Sequence, residues 1–222
     1  MKILDYQKLV DFFEQKMKEP LPGQSAHLIM EPPHRNKEVE RNPDFDNYKK
    51  SAVLIILWID QGCLKTAFIL RPEYDGFHSN QIAFPGGKSE KIDQNFIHTA
   101  LREANEEVGI NSKTVEVIGS LTPLFIPPSR FLVYPIIGIT KNQPDFKTDP
   151  HEVETLLIAD ISIFLNTENI IKQQFKIRNT IINDIPCYKM GDHLIWGATA
   201  MILSEFLELI KPLLLIENFS AK

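Results

Sequence analysis

A chain of 222 residues with 43% hydrophobic and 24% charged side chains has the length and composition of one ordinary globular domain with a sizeable core, which excludes a low-complexity segment. The formal net charge of -5, with no basic stripe, argues against nucleic acid as a partner. No apolar run reaches the ~18 residues that a membrane span needs, and two cysteines, Cys63 and Cys187, make no disulfide framework and read as reduced thiols.

Taken in order, Leu4 to Met17 carries apolar residues at helical spacing and predicts an amphipathic helix. The first residues lack a signal-peptide core, so a cytoplasmic protein is expected. Pro20 to Asn47 is rich in proline, charge and histidine and reads as a connecting segment, with His27 and His34 expected at the surface. Residues 1–47 thus form a helix and connector packed on a main domain of residues 48–222. Ser51 to Ile59 is almost continuously apolar, the pattern of a central strand buried on both faces. Asp60-Gln61-Gly62 predicts a turn, Leu64 to Leu70 a returning strand and Gln81 to Phe84 a short one. Later strands are expected at Thr114 to Leu121, Phe131 to Thr140 and Glu152 to Ile158, with a proline-stiffened loop at Thr122 to Arg130. Phe175 to Ile182 and Ile185 to Met190 suggest a hairpin turning at Asn183-Asp184. Leu194 to Ile210 predicts the last long helix.

The most informative stretch runs from Phe84 to Ile110. Pro85, Gly86 and Gly87 predict a tight loop. A helix follows, with Asp93 as its candidate N-cap and Gly109 as its terminator. Ile97, Ala100, Leu101, Ala104 and Val108 share one face at spacings of three and four. Glu103, Glu106 and Glu107 fall together on another arc. Like charges this close repel. Either the arc is a solvated acidic face, or a divalent cation neutralises it. The glycine loop just upstream favours the cation, and oxygen ligands select a hard ion, Mg2+ or Mn2+.

Arg102-Glu103-Ala104-Asn105-Glu106-Glu107-Val108-Gly109-Ile110 resembles the second half of the Nudix box. The first half differs from the general box by one extra residue between Gly87 and Arg102 and by Asp93 where a glutamate is usual. Both departures resemble the coenzyme A pyrophosphatase subfamily, as do Leu70-Arg71, His78, Gln81 to Gly87, Leu121 to Ser129 and Ile195 to Ala200. Arg71-Pro72 and Asn80 depart from that subfamily's upstream signature. The resemblance implies an α/β fold, a Nudix-type α/β/α sandwich with a mixed central sheet, here with an added N-terminal helix. It implies metal-dependent hydrolysis of a nucleoside-diphosphate substrate. Within the subfamily the substrate is coenzyme A or its thioesters, and the products are 3',5'-ADP and 4'-phosphopantetheine or its acyl derivative. A Nudix hydrolase of ADP-ribose, NADH or dinucleoside polyphosphates is the alternative. A non-catalytic Nudix-fold binding module would be expected to lose box carboxylates, and all three are present.

On this reading Glu103 and Glu107, one helical turn apart, hold the ion. Glu106 is a further ligand or the base that takes the water's proton. Arg102 orients a carboxylate. Gly86 and Gly87 admit backbone close to the phosphates. Arg71, His78 and Ser129 are candidate substrate contacts. Glu152 is a candidate for the base that Nudix enzymes often place outside the box. The sequence leaves a homodimer open.

Overall fold

Twelve residues, Lys49–Asp60, form strand β1, the axis of the molecule. Its alternation decides the layering. Ala52, Leu54, Ile56 and Trp58 pack into one apolar cluster, and Ile55 and Leu57 into another on the opposite face. Both faces are buried, as the unbroken apolar run predicts. The computed structural model describes residues 4–33, 35, 48–73, 80–177 and 180–219.

Strand β1 is hydrogen-bonded on one edge to β2 (Cys63–Leu70), in an antiparallel pair, and on the other to β7 (Phe131–Ile139), in a parallel one. The main sheet runs β3 (Ile82–Ala83), β2, β1, β7, β5 (Glu116–Ser120), while β4 (Gly86–Lys88) pairs with β1, β6 (Leu124–Ile126) with β7 and β8 (Thr155–Asp160) with β2. It is therefore a mixed sheet of eight strands. A second, three-stranded antiparallel sheet joins β9 (Ile170–Ile177), β10 (Thr180–Met190) and β11 (His193–Trp196).

Helices cover both faces of the main sheet. On one lies α3 (Phe96–Val108), seated through Ala100, Ala104 and Val108. On the other lie α1 (Tyr6–Lys16), α2 (Gln24–His27) and the long α4 (Gly197–Phe219), with Leu9 and Phe13 of α1 and Phe206 of α4 in one core. The α/β/α sandwich with an added N-terminal helix is thus present. None of the helices among the described residues is long and apolar enough to cross a membrane.

Several local expectations change. The glycine stretch is a strand and not a free loop, because β1 pairs Ser51 with Lys88 and Val53 with Gly86. Thr122 to Arg130 contains β6, which pairs Leu124 with Val133. Asn183-Asp184 is not the hairpin turn. Thr180 pairs with Ile177, and the register shifts between Ile182 and Ile185, with Asp184 at φ 57. The excess residues are absorbed as a bulge inside β10. Residues Leu194 to Trp196 extend β11, and α4 begins only at Gly197, whose φ of 63 turns strand into helix. His27 is not at the surface. It is 4% exposed, because its ring pairs with the buried Glu205 of α4. His34 and His78 lie outside the described residues.

Candidate active site

Helix α3 starts at Asn95, not Asp93: the Asn95 side chain accepts from His98 N at 2.9 Å, the capping bond of a helix N-terminus. It ends at Gly109, whose φ of 72 is the left-handed terminator that the sequence predicts. The buried face differs from the apolar stripe. Ile97 is exposed, while Glu107 is only 1% exposed. The reason is β4, whose glycine backbone lies against the acidic arc.

Each glycine there meets a carboxylate, Gly86 through its N–H and Gly87 through its bare Cα. Gly86 N donates to Glu107 Oε2 at 2.7 Å. A Cβ on Gly87 would sit 2.3 Å from Glu103 Oε2 and 2.5 Å from Glu103 Cδ, so a side chain there would displace that carboxylate. Arg71, just after β2, bridges the same region. Its Nη2 donates to Gly86 O at 2.7 Å and lies 3.1 Å from Glu107 Oε1.

Asp93 turns inward and anchors Arg102. Arg102 donates from Nε to Asp93 Oδ1 at 3.0 Å and from Nη2 to Asp93 Oδ2 at 3.1 Å. Asp93 also accepts from Glu90 N, and from Thr99 Oγ1 at 2.9 Å. The guanidinium therefore holds the Asp93 carboxyl far below the usual carboxylate range. Arg102 reaches three further partners: from the same Nη2, Lys88 O at 3.0 Å and Glu103 Oε1 at 2.9 Å, and from Nη1, Glu106 Oε2 at 2.8 Å. With this many bonds it orients carboxylates and is not placed to meet a substrate.

Among the described residues the carboxylates that converge are Glu103, Glu107 and Glu152, which bring one oxygen each within 4.8 Å of one another. Glu106 stands outside that group, its side chain 52% exposed and held by Arg102. Glu152 arrives from the segment before β8, which hangs on the end of α3. There Lys147 N donates to Val108 O and Asp149 N to Glu107 O, both at 2.9 Å. Burial pushes the Glu107 carboxyl up to about 7, against the pull of Arg71 and the Gly86 N–H. Burial also raises Glu103, opposed by Arg102. Two desolvated carboxylates beside a third, with only oxygen donors between them, suit a hard divalent ion and fit nothing apolar.

The other side of β4 opens on a cavity of about 670 Å3. Val53, Phe84, Leu124, Phe131, Trp196 and Ile202 give it an apolar wall, and Arg71, Gly86, Gly87 and Lys88 form its edge toward the carboxylates. Phe84 packs on Phe68, and Trp196 stacks on Phe175 at 4.5 Å. Ser129 is not among the residues lining this cavity, although its Oγ is buried without a hydrogen-bond partner. The one sequence signal for the anchoring role of Asp93 is its place in the box where a glutamate is usual, nine residues before Arg102, while the cavity depends on pairings between segments and has none.

A NUDIX domain model matches residues 48–169, from β1 to the start of the second sheet. The chain is 35% identical over 172 residues to Nudix hydrolase 15, mitochondrial, of Arabidopsis thaliana, an alignment covering 74% of this chain and 60% of that protein. It is 30% identical over 164 residues to the mitochondrial coenzyme A diphosphatase of Homo sapiens, covering 73% of this chain and 70% of that protein. The chain thus spans about 60% of the length of the plant relative. Among solved structures, a MutT/nudix family protein from Enterococcus faecalis superposes with a TM-score of 0.50 at 12% identity, over 95% of this chain and 76% of that one, which speaks for the fold alone. A domain match running from β1 through the glycine strand, the carboxylate helix and Glu152 shows that this chain belongs to the Nudix family.

Proposed function

We propose that the protein is a metal-dependent Nudix diphosphatase that cleaves coenzyme A or its thioesters to 3',5'-ADP and 4'-phosphopantetheine or its acyl derivative. One observation carries the substrate: the apolar cavity shares Gly86 and Gly87 with the carboxylate cluster. A diphosphate at the glycine strand would have a long, uncharged arm beside it, and ADP-ribose brings no such arm. The likeness to a coenzyme A diphosphatase supports the same reading.

Glu103 and Glu107 would hold the ion, with Mg2+ or Mn2+ suited to their oxygens. When bound, that ion offsets the charge of the diphosphate and activates water. Arg71 lies at the cavity edge and can meet a phosphate oxygen. Glu152, exposed and within the cluster, can take the proton of the attacking water. Glu106, with one oxygen on Arg102, offers the other as a further ligand or as the base. Arg102, fixed by Asp93, sets the orientation of Glu103 and Glu106.

The test is a panel of coenzyme A, 3'-dephospho-coenzyme A, ADP-ribose and NADH with Mg2+ and Mn2+, the products identified by mass. A charge-assisted contact to the 3'-phosphate is worth about 1.5–3 kcal/mol. Coenzyme A should therefore be hydrolysed at least ~10-fold better, by kcat/KM, than 3'-dephospho-coenzyme A or ADP-ribose, with 3',5'-ADP released. A preference for ADP-ribose or NADH would overturn the substrate and leave the Nudix chemistry standing.

The cluster also makes a thermal prediction. In the metal-free protein Glu107 titrates near 7, above its ordinary 4.5. Between those values the folded state binds more protons than the unfolded one, so its stability falls as pH rises through this window. Ion binding requires the ionised carboxylate, so stabilisation by the ion grows over the same window. At about 100 times Kd the ion adds about 2.7 kcal/mol, or roughly 5–10 °C in Tm for a chain of this size. The Tm rise with Mg2+ or Mn2+ should be larger at pH 8 than at pH 5.5, and absent in Glu103→Gln/Glu107→Gln. An unchanged response in the double variant would place the ion elsewhere.

A further inference from the structure

Part of the cavity wall comes from outside the matched domain. Pro32, Pro33 and Arg35 of the N-terminal connector line it together with β1, β6 and α4. The described part of this connector is fastened on either side of Pro32 and Pro33 by polar contacts that the hydrolytic chemistry does not use.

The first fastening centres on Glu205, which is fully buried inside α4. Its Oε2 meets His27 Nε2 at 2.8 Å, and its Oε1 accepts from Gly23 N at 3.0 Å and from Thr122 Oγ1 at 2.7 Å. The adjacent Ser204 Oγ donates to Ala26 O at 2.8 Å. A buried carboxylate is costly unless its lone pairs are filled. Here they are filled by Gly23 and His27 of the connector and by the backbone N–H and hydroxyl of Thr122, so α2 cannot lift from α4 without taking two partners away from a buried charge. The second fastening is at Arg35, whose guanidinium donates to Phe125 O of β6 and lies 3.5 Å from Glu31. Phe125 is itself stacked by Tyr48 at 4.3 Å. Between the two fastenings Met30 is fully buried. Two prolines in sequence restrict the backbone between the fastenings.

We infer that His27 and Arg35 are positioning residues for substrate specificity, holding the Pro32-Pro33 wall against the uncharged arm of the substrate while leaving the diphosphate chemistry alone. The inference rests on the coenzyme A reading above. The connector touches the arm's cavity, whereas the residues assigned to the ion and the phosphates come from the residue after β2, from β4, from α3 and from the segment before β8. A connector that only stabilised the fold would affect every substrate alike. A specificity wall affects only those with an arm.

The experiment compares wild type, His27→Ala, His27→Gln and Arg35→Ala with coenzyme A and ADP-ribose in Mg2+, reading KM and kcat separately and Tm alongside. His27→Ala and Arg35→Ala should each raise the KM for coenzyme A about 10-fold, the scale of one well-made polar contact. Their kcat for coenzyme A and their KM for ADP-ribose should stay within about twofold, the signature of lost uniform binding. His27→Gln, which restores a donor to Glu205, should recover most of the affinity. Should His27→Ala fail to fold, Arg35→Ala at the other end carries the test. Equal effects on both substrates, a fall confined to kcat, or an unchanged KM for coenzyme A would overturn the wall's role. If wild type itself prefers ADP-ribose, the coenzyme A reading fails and the wall's role fails with it. If wild type prefers coenzyme A and the variants keep that preference, only the wall's role is overturned.

Discussion

Glu107→Gln is expected to lower turnover by at least ~100-fold, the scale of losing a central electrostatic element in a desolvated site. The side chain keeps its size, and its amide oxygen can still accept the Gly86 N–H that Glu107 now holds at 2.7 Å. What disappears is the charge. Glu107 is the most deeply buried carboxylate of the cluster, and Arg71 at 3.1 Å is its cationic neighbour. Burying that charge in the absence of an ion already opposes ionisation, which is why its carboxyl titrates near 7. With its oxygen on Gly86, the amide turns its NH2 toward the Arg71 guanidinium, which keeps Gly86 O as its acceptor, so the metal-free fold should lose about 1–3 kcal/mol, the scale of one mismatched buried polar contact. The measurement is kcat at saturating Mg2+ or Mn2+, with Tm as the control for folding. Near-normal turnover at saturating ion would remove Glu107 from the site.

The two glycines of β4 should fail in different ways when replaced by alanine. At Gly86, φ is 151 and an added Cβ would lie 2.3 Å from Ala52 O and 2.5 Å from Val53 Cα. Those atoms are the backbone of β1, held between β2, β4 and β7, so they cannot give way. Overpacking costs about 1–3 kcal/mol, and a disfavoured backbone conformation about 1–3 more. Gly86→Ala is therefore expected to lose roughly 2–6 kcal/mol, or about 5–20 °C in Tm for a chain of this length. At Gly87 the obstructing atoms are the carboxylate of Glu103, at 2.3 to 2.8 Å. That is the end of a side chain, which can move. Gly87→Ala should keep its Tm within a few degrees and lose turnover about 10- to 100-fold, because the displaced carboxylate is one that would hold the ion. Thermal melts and steady-state rates on the two variants check this. A Gly86→Ala protein with wild-type Tm, or a Gly87→Ala protein with wild-type turnover, would contradict the close approach of β4 to its neighbours.

The Glu107 and Gly87 effects trace to one local arrangement, helix α3 against β4, of which the sequence shows one half. The helix is legible because its signals are short-range. A 3.6-residue period places Ala100, Ala104 and Val108 on one face, and Gly109 ends the helix with the φ of 72 that glycine tolerates. The same period brings Glu103 and Glu107 together, and Arg102 to Glu106 one turn away. The continuous apolar run of β1 likewise implies a strand buried on two faces, and the structure has it.

What the sequence by itself determined, then, are the central strand, the carboxylate helix and its terminator, because each depends on residues within a turn or two of one another. The tertiary structure alone decided which of the three box glutamates is buried, because β4 covers Glu107 and leaves Glu106 to Arg102 and solvent. It also decided that Asp93 would anchor Arg102 instead of capping α3, since Asn95 offers the cap and the buried guanidinium needs a counter-charge. It brought Glu152 to the cluster through two backbone bonds to the end of α3. It drew His27 out of the expected surface to Glu205, a partner 178 residues away. For Glu107, Asp93 and His27 a buried polar group had to find a partner. Local periodicity carries no record of that partner, because it is supplied by whichever distant segment the sheet brings alongside.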